Sequence, residues 1–527
     1  MKKFELSHPV VLTAFIFVGF LLNLSAIPLF DVDEGAFSEA TREMLNTGVW
    51  SATYLDGQPR YDKPILTYWV QAVFVSIFGL NEFGLRMHSV ISAALWALAC
   101  FLFCKEFINR NTAVAVLVIF ASTLWITVIG RAATADALLN LFIALSFFDI
   151  YRYSQHQQSI HCYRAWLWMS LGMLTKGPVA VAIPAISSLI WLLSLGHFRV
   201  WLKAVLNPVG WLIFLSVLTP WLYMVWLEQG SDFFYGFLVE HNLKRFTATK
   251  EGHGGSWYYY LLVLPLIILP YSGLILNPIR RCARLWLNPL NRLLIIWFSV
   301  VFMLVSISQT QLPHYVLYGV TPLLILFAKY RNLISRQHWQ WLFPLAFCAI
   351  QFILLFVAPD LAQQQNNLYQ QQMLTIATQV FNTHYLIASV ILLLLVSVLY
   401  FIPLSLWKRL STAALLQTLF CYTFLIPALA EIQQTPIKQA ALQSKDIAQP
   451  FVAYKIHMPS FSVYRQDITH RREVKPGDYV YTRADRVSSL QEMFGPQNVR
   501  IFYQHGGIVL AEILHNKQQR TLVNVEK

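Results

Sequence analysis

The sequence predicts a polytopic α-helical membrane protein with interfacial helices and a small C-terminal α/β domain outside the membrane. Three observations carry this expectation. Hydrophobic residues make up 57% of the chain and charged residues 12%, against roughly 45–50% and about 25% in soluble domains. Mean hydropathy is +0.51 over 527 residues. From about Pro436 the long apolar stretches give way to short alternating runs. Residues 1–430 are therefore expected to form the transmembrane body and residues 431–527 a soluble periplasmic domain.

Each element follows in order. Val10 to Leu29 is twenty residues without a charge, enough to span a bilayer. It is too long for a signal-peptide core and no small-residue cleavage site follows, so it is expected to be retained. Further apolar stretches centre near residues 93, 120, 142, 169, 187, 217, 266, 299, 321, 348, 393 and 420, giving thirteen candidate spans. Lys and Arg fall in every second connection, from Lys105/Arg110 to Lys408/Arg409. By the positive-inside rule the N-terminus is then cytoplasmic and the C-terminus periplasmic. The formal charge of +13 is spread in these short clusters, so nucleic acid is not expected as a partner. All six cysteines fall in spans or cytoplasmic loops, which argues against a disulfide framework.

The first outer loop, about 31–82, is rich in acids. Within it Ala36, Phe37, Ala40 and Met44 recur at helical spacing, predicting an amphipathic helix along the membrane surface. Ile65–Phe78 and Phe233–Arg245 read as two more interfacial segments. In the C-terminal part, 451–456, 460–465, 478–483 and the pair within 499–514 read as strands, the last two as a hairpin around Gly506-Gly507. SSLQEMF reads as a short helix, and the Gln-rich 363–372 as a polar loop.

Polar constellations gather on the outer side: Asp33-Glu34, Asp62-Lys63, Arg131 with Asp136, Lys176, Glu240-His241 with Arg245 and His253, and His314-Tyr315. Each also has a plain structural explanation. Asp33 can cap the interfacial helix, Asp136 can pair with Arg131, and Lys63 and Lys176 can be snorkelling lysines. Convergence on one membrane face favours a shared site.

The segments DVDEGAFSEATREM, YDKPILTYW, RAATADALLNLF, MLTKGPVAVAIP, FLVEHNLKRF, GHGGSWYYYLLVLP and TQLPHYVLYGVTPL resemble, in order and spacing, the motif series of the bacterial protein-O-mannosyltransferase-like family of C-type glycosyltransferases. The resemblance covers about residues 9–330. It implies an inverting transfer of a sugar from a polyprenyl (undecaprenyl) phosphate donor to a periplasmic-side acceptor. That acceptor is expected to be lipid A or lipopolysaccharide, or else protein or another glycan. The enzyme would act in the inner membrane as a monomer, without a nucleotide cofactor. Asp33 and Asp136 match acidic catalytic positions, beside Glu34. Lys63 matches a lysine near the donor phosphate, with Lys176, Arg131, Arg245 and Tyr315 as further phosphate candidates. Glu240, His241 and His314 are acceptor or loop candidates. Asp62 and His253 match positions that bind a divalent metal such as zinc. The chain departs from the pattern at Asp62, which replaces Glu, and at Ala36, which replaces an arginine.

These residue types suit the chemistry. Breaking a sugar–phosphate bond puts negative charge on the departing phosphate, which a lysine or arginine stabilises. A carboxylate can take the acceptor's proton. A lipid or glycan transporter, the reading from another class, would place ionisable groups near the bilayer midplane and often show an internal repeat. Here the charges sit at span ends.

Overall fold

The computed structural model describes residues 6–244, 255–276, 282–333 and 337–515. Each of the thirteen apolar centres lies on a helical element. Among the described residues six helices are long and apolar enough to cross a membrane: Glu82–Phe107, Pro208–Leu243, Pro289–Ile307, Trp339–Val357, Thr383–Phe401 and Leu406–Gln433.

The first span departs from expectation. Helix α1, Pro9–Ile16, continues only as a π-turn, Phe17–Leu21, and Asn23 takes a left-handed φ of 57°. The charge-free run beyond it is irregular backbone, tolerable among apolar helices only if its carbonyls find partners inside the protein. Two buried arginines supply them. Arg86 donates to the carbonyls of Leu24, Ile27 and Pro28 at 2.9, 2.6 and 2.8 Å, and Arg131 donates to that of Leu22.

Helix α2, Asp33–Thr47, forms where the apolar spacing predicts. It is not a helix lying on the membrane with a wet polar face, because Glu34, Glu39, Arg42 and Glu43 are all buried. Arg42 and Glu39 pair at 2.6 Å, and the Gly57 amide donates to Glu43. The C-terminal domain covers this face, packing its short helix Ser460–Arg465 on α2. The residues after α2 make a tight hairpin, β1 Tyr54–Leu55 and β2 Gln58–Pro59. Helix α3, Leu66–Phe78, follows, then α4, Glu82–Phe107, α5, Arg110–Phe120, α6, Leu124–Ile129, α7, Asp136–His156, and α8, Ser159–Lys176. The third interfacial segment is π-helical over Tyr235–Leu243.

The C-terminal domain is a five-stranded mixed sheet in the order β4-β3-β5-β7-β6, with β3 Phe451–Ala453, β4 Thr469–His470, β5 Tyr479–Arg483, β6 Val499–His505 and β7 Ile508–Ile513. β3 runs parallel to β4 and β5, and β7 antiparallel to β5 and β6. The hairpin and the helix at Val487–Phe494 form as expected. Two expectations fail. Ser460–Arg465, read as a strand, is a helix, because its alternation reflects burial against both the sheet and α2. The Gln-rich segment is largely helical, since helix Leu368–Val380 starts within it, capped by Asn367.

Candidate active site

Two cavities meet beneath the C-terminal domain. The first, of about 630 Å³, is polar. It is walled by Asp31, Asp33, Ala36 and Phe37 of the α2 end, by Leu55 and Gln58 to Lys63 of the hairpin loop, by Asp136, Lys176, His241, His314 and Tyr315, and by His457 and Arg471. The second, of about 350 Å³, is largely apolar, with Val179, Ile183, Leu238, Val301, Leu304 and Val305 in its walls. Asp62, Lys63, Lys176, His241 and Tyr315 line both. Two lysines therefore stand where an apolar channel opens into a polar chamber.

The two aspartates of the chamber share a structural device. Each is the first residue of its helix, Asp33 of α2 and Asp136 of α7, where the helix dipole favours negative charge. Asp33 does not cap α2; the cap position belongs to Val32 and makes no side-chain bond. Its carboxylate makes no hydrogen bond to a described residue, and it faces the chamber. Asp136 is buried and bound on one oxygen, Lys176 Nζ lying 2.6 Å from Oδ1 and the Tyr318 hydroxyl donating at 3.1 Å. Lys176 ends α8, and its ammonium lies 5.5 and 5.6 Å from the ring centres of Tyr315 and Tyr318. The next residue must be glycine. Gly177 has φ +107°, and a Cβ there would meet the Phe237 ring at 2.7 Å. Burial drives the His314 imidazole below its usual pKa, against the opposing pull of Asp136.

Lys63 donates to the carbonyl and carboxylate of Asp62 at 3.2 and 3.3 Å. Asp62 is also gripped by Arg60, through Nε to Oδ1 at 2.6 Å and Nη2 to Oδ2 at 3.0 Å. Burial works against the ionised form, but the charges of Arg60 and Lys63 hold this carboxyl well below the usual range. Both oxygens thus face a guanidinium, which does not fit a metal ligand, and no group of three or more metal-binding side chains exists among the described residues. The other metal candidate, His253, lies outside the described residues, as does the phosphate candidate Arg245. No step below runs through a metal.

Three further expectations change. Glu34 turns away from the chamber into a buried clamp with Arg86, and also accepts from the Phe30 and Ala133 amides at 2.8 and 2.6 Å. Arg131 does not pair with Asp136 or face the chamber; it lies 3.9 Å from the Tyr422 ring centre and serves the Leu22 carbonyl. Glu240 pairs with Lys244 on the same helical segment and lines neither cavity.

Sequence reasoning missed Arg60, His457 and Arg471. Arg60 had a signal, since residues two apart on an extended chain share a side, which puts it beside Asp62. It also donates to the Ala36 carbonyl at 2.6 Å and lies 5.2 Å from the Phe37 ring centre, bringing a guanidinium to a position where the side chain itself is only a methyl. His457 and Arg471 had none, because only the docking of the C-terminal domain brings them here.

Docking is held by polar staples. Asp31 accepts from both the amide and the hydroxyl of Ser460. Ser462 donates to Asp56 at 2.9 Å. The Leu29 amide donates to the Tyr464 hydroxyl at 2.7 Å, which in turn donates to Glu82 at 3.1 Å.

The fold is similar to that of a solved membrane protein. The crystal structure of ArnT from Cupriavidus metallidurans bound to undecaprenyl phosphate superposes with a TM-score of 0.76 at 18% identity, covering 95% of this chain and 97% of that one. Residues 62–224 match the model of the dolichyl-phosphate-mannose-protein mannosyltransferase family. Curated relatives named undecaprenyl phosphate-alpha-4-amino-4-deoxy-L-arabinose arabinosyl transferase include one from Shewanella sediminis, 28% identical over 338 residues and covering 62% of this chain. Another, from Yersinia enterocolitica, is 30% identical over 340 residues and covers 63% of this chain. The match spans 60% of the length of each relative.

Proposed function

We propose that this protein is an inverting glycosyltransferase of the bacterial inner membrane. It takes a sugar from an undecaprenyl phosphate carrier and passes it to an acceptor on the periplasmic side, lipid A or lipopolysaccharide. Residues 1–430 form the transferase body with a cytoplasmic N-terminus, and residues 431–527 the outer domain. One observation carries this reading: Lys63 and Lys176 line both the apolar channel and the polar chamber. A lipid phosphate has the matching shape, an apolar chain ending in an anion beside a sugar.

In the reaction the acceptor oxygen attacks the anomeric carbon as the bond from that carbon to the phosphate oxygen breaks. The bonding pair leaves with the phosphate, where Lys63 and Lys176 stabilise the growing charge. The acceptor's proton passes to the Asp33 carboxylate, which makes no competing hydrogen bond to a described residue. Asp136 holds Lys176 in place through the 2.6 Å ion pair. Tyr315, against Lys176 and on both walls, orients the lysine toward the junction.

The test is reconstitution of the purified chain in nanodiscs with undecaprenyl phosphate-4-amino-4-deoxy-L-arabinose and lipid A. Mass spectrometry should find the sugar on the acceptor and free undecaprenyl phosphate in equal amount. Release of undecaprenyl phosphate with no glycosylated product, across lipid, glycan and protein acceptors, would refute the reading.

A further inference from the structure

The polar chamber has four basic side chains of fixed charge in its wall: Arg60, Lys63, Lys176 and Arg471. Three are matched by a carboxylate, Arg60 and Lys63 by Asp62 and Lys176 by Asp136. Arg471 has neither an ion pair nor a hydrogen bond among the described residues, and it is exposed to the chamber. It follows directly on β4, Thr469–His470. His457, on the loop between β3 and the helix Ser460–Arg465, lines the same wall, and its Nδ1 is buried without a hydrogen-bond partner. These two groups belong to the outer domain and face a chamber whose floor carries Asp33.

We propose that Arg471 and His457 form an acceptor subsite that binds a phosphate group of a lipid-anchored acceptor. The inference rests on the glycosyl-transfer reading and names the chemistry of the acceptor. An anionic acceptor approaching Asp33 meets repulsion from a carboxylate and needs a cation on its own side of the chamber. The lysines lie at the channel mouth and have carboxylate partners already, whereas Arg471 feels Asp56 only at a distance and forms no ion pair among the described residues. A guanidinium matches the geometry of phosphate through two parallel donors. Burial, with the nearby charges of Arg471 and Arg60, lowers the His457 pKa to about 4, so the neutral ring adds a hydrogen bond without adding charge. The staple from Asp31 to Ser460 lies three residues from His457 and two from Asp33, so a short stretch of backbone fixes the spacing of base and subsite. The rim favours a lipid over a peptide. Val32, next to Asp33 in the wall, is 44% exposed. Acyl chains suit such a rim.

The experiment uses the full-length protein in nanodiscs. Native mass spectrometry compares retention of a phosphorylated glucosamine-disaccharide lipid with that of its phosphatase-treated counterpart, on wild type, Arg471→Gln and Arg471→Lys. The wild type should prefer the phosphorylated lipid. Arg471→Gln should reduce that preference roughly tenfold, the scale of a lost charged hydrogen bond, and Arg471→Lys should restore part of it. In turnover assays Arg471→Gln should raise the KM for acceptor more than the KM for donor. Equal retention of both lipids by the wild type overturns the inference, as does a preference that survives in Arg471→Gln. Tighter retention of a phosphorylated peptide than of the lipid overturns it too. Binding is read separately from catalysis, so a wild type that prefers the phosphorylated lipid yet transfers no sugar counts against the transfer reading and not against the subsite.

Discussion

Arg86 grips Glu34 through two hydrogen bonds, from Nε to Oε1 at 2.8 Å and from Nη2 to Oε2 at 2.7 Å, directly beside Asp33, which lines the polar chamber. The same guanidinium ties down three carbonyls of the irregular segment that follows α1. Glu34 and Asp33 are neighbours in sequence with different surroundings: one locks the first loop to α4, the other lines the polar chamber.

This division gives a paired expectation. Asp33→Asn should leave folding intact and lower turnover by roughly 10²–10⁴-fold, the range for loss of a positioned base. Glu34→Ala should instead destabilise the protein by about 3–5 kcal/mol, because Arg86 is left buried without its counter-ion. Thermal unfolding in detergent alongside turnover separates the two. Near-normal activity in Asp33→Asn would remove it from the chemistry.

Lys63→Gln and Lys176→Gln should both weaken use of the donor with every acceptor tried. The second should be the more damaging to structure, since it also strips the buried Asp136 of its partner. Asp136→Asn should mimic part of that loss by freeing Lys176. Donor binding followed by scintillation proximity against reporter lipid would reveal a Lys63 variant that binds normally, which the donor assignment does not allow.

Docking of the C-terminal domain should depend on pH. Burial raises the Asp31 carboxyl to about 7, opposed by its Ser460 bonds, and raises Asp56 to about 6, opposed by its Ser462 bond. Both pKa values rise on folding, so the docked state holds more protons than the unfolded one between about pH 4 and about pH 7. The stability they contribute is complete below the ordinary carboxylate pKa and is lost as pH climbs through the folded values. Unfolding temperature should fall from pH 5 to pH 7.5, and Asp31→Asn should flatten that slope.

Gly35 allows α2 and the C-terminal domain to approach. A Cβ there would lie 1.9 Å from Asp31 Oδ1 and 2.6 Å from the Ser460 amide nitrogen. Gly35→Ala should loosen the domain and make the connection near Gln434 sensitive to protease, with a fall in transfer. Proteolysis rates equal to wild type would mean the interface absorbs the methyl group.

Reporter fusions after Arg284 should read as cytoplasmic and fusions after His515 as periplasmic. A cytoplasmic reading at His515 would place the outer domain on the wrong side for the proposed acceptor.

Much of the architecture was legible without coordinates because it follows from local pattern. Runs of apolar residues mark helices wherever they occur, so α4 and the late spans needed only composition. The Ala36–Met44 spacing announced α2, and the alternation around Gly506-Gly507 announced the hairpin. Asp33, Lys63, Asp136 and Lys176 could be singled out because charged groups at the ends of apolar segments are costly and stand out. Tertiary contacts decided the rest. Nothing in the run Val10–Leu29 shows that its second half is irregular, since that state exists only because Arg86 and Arg131, far along the chain, satisfy its carbonyls. Glu34 looked like Asp33 until Arg86 distinguished them, and Ser460–Arg465 alternated like a strand because it is buried on two sides. The C-terminal domain's part in the chamber, through His457 and Arg471, depends on contacts between residues more than four hundred positions apart, such as Asp31 with Ser460. Short-range spacing carries no record of such pairs, because they are set by how separately formed elements pack.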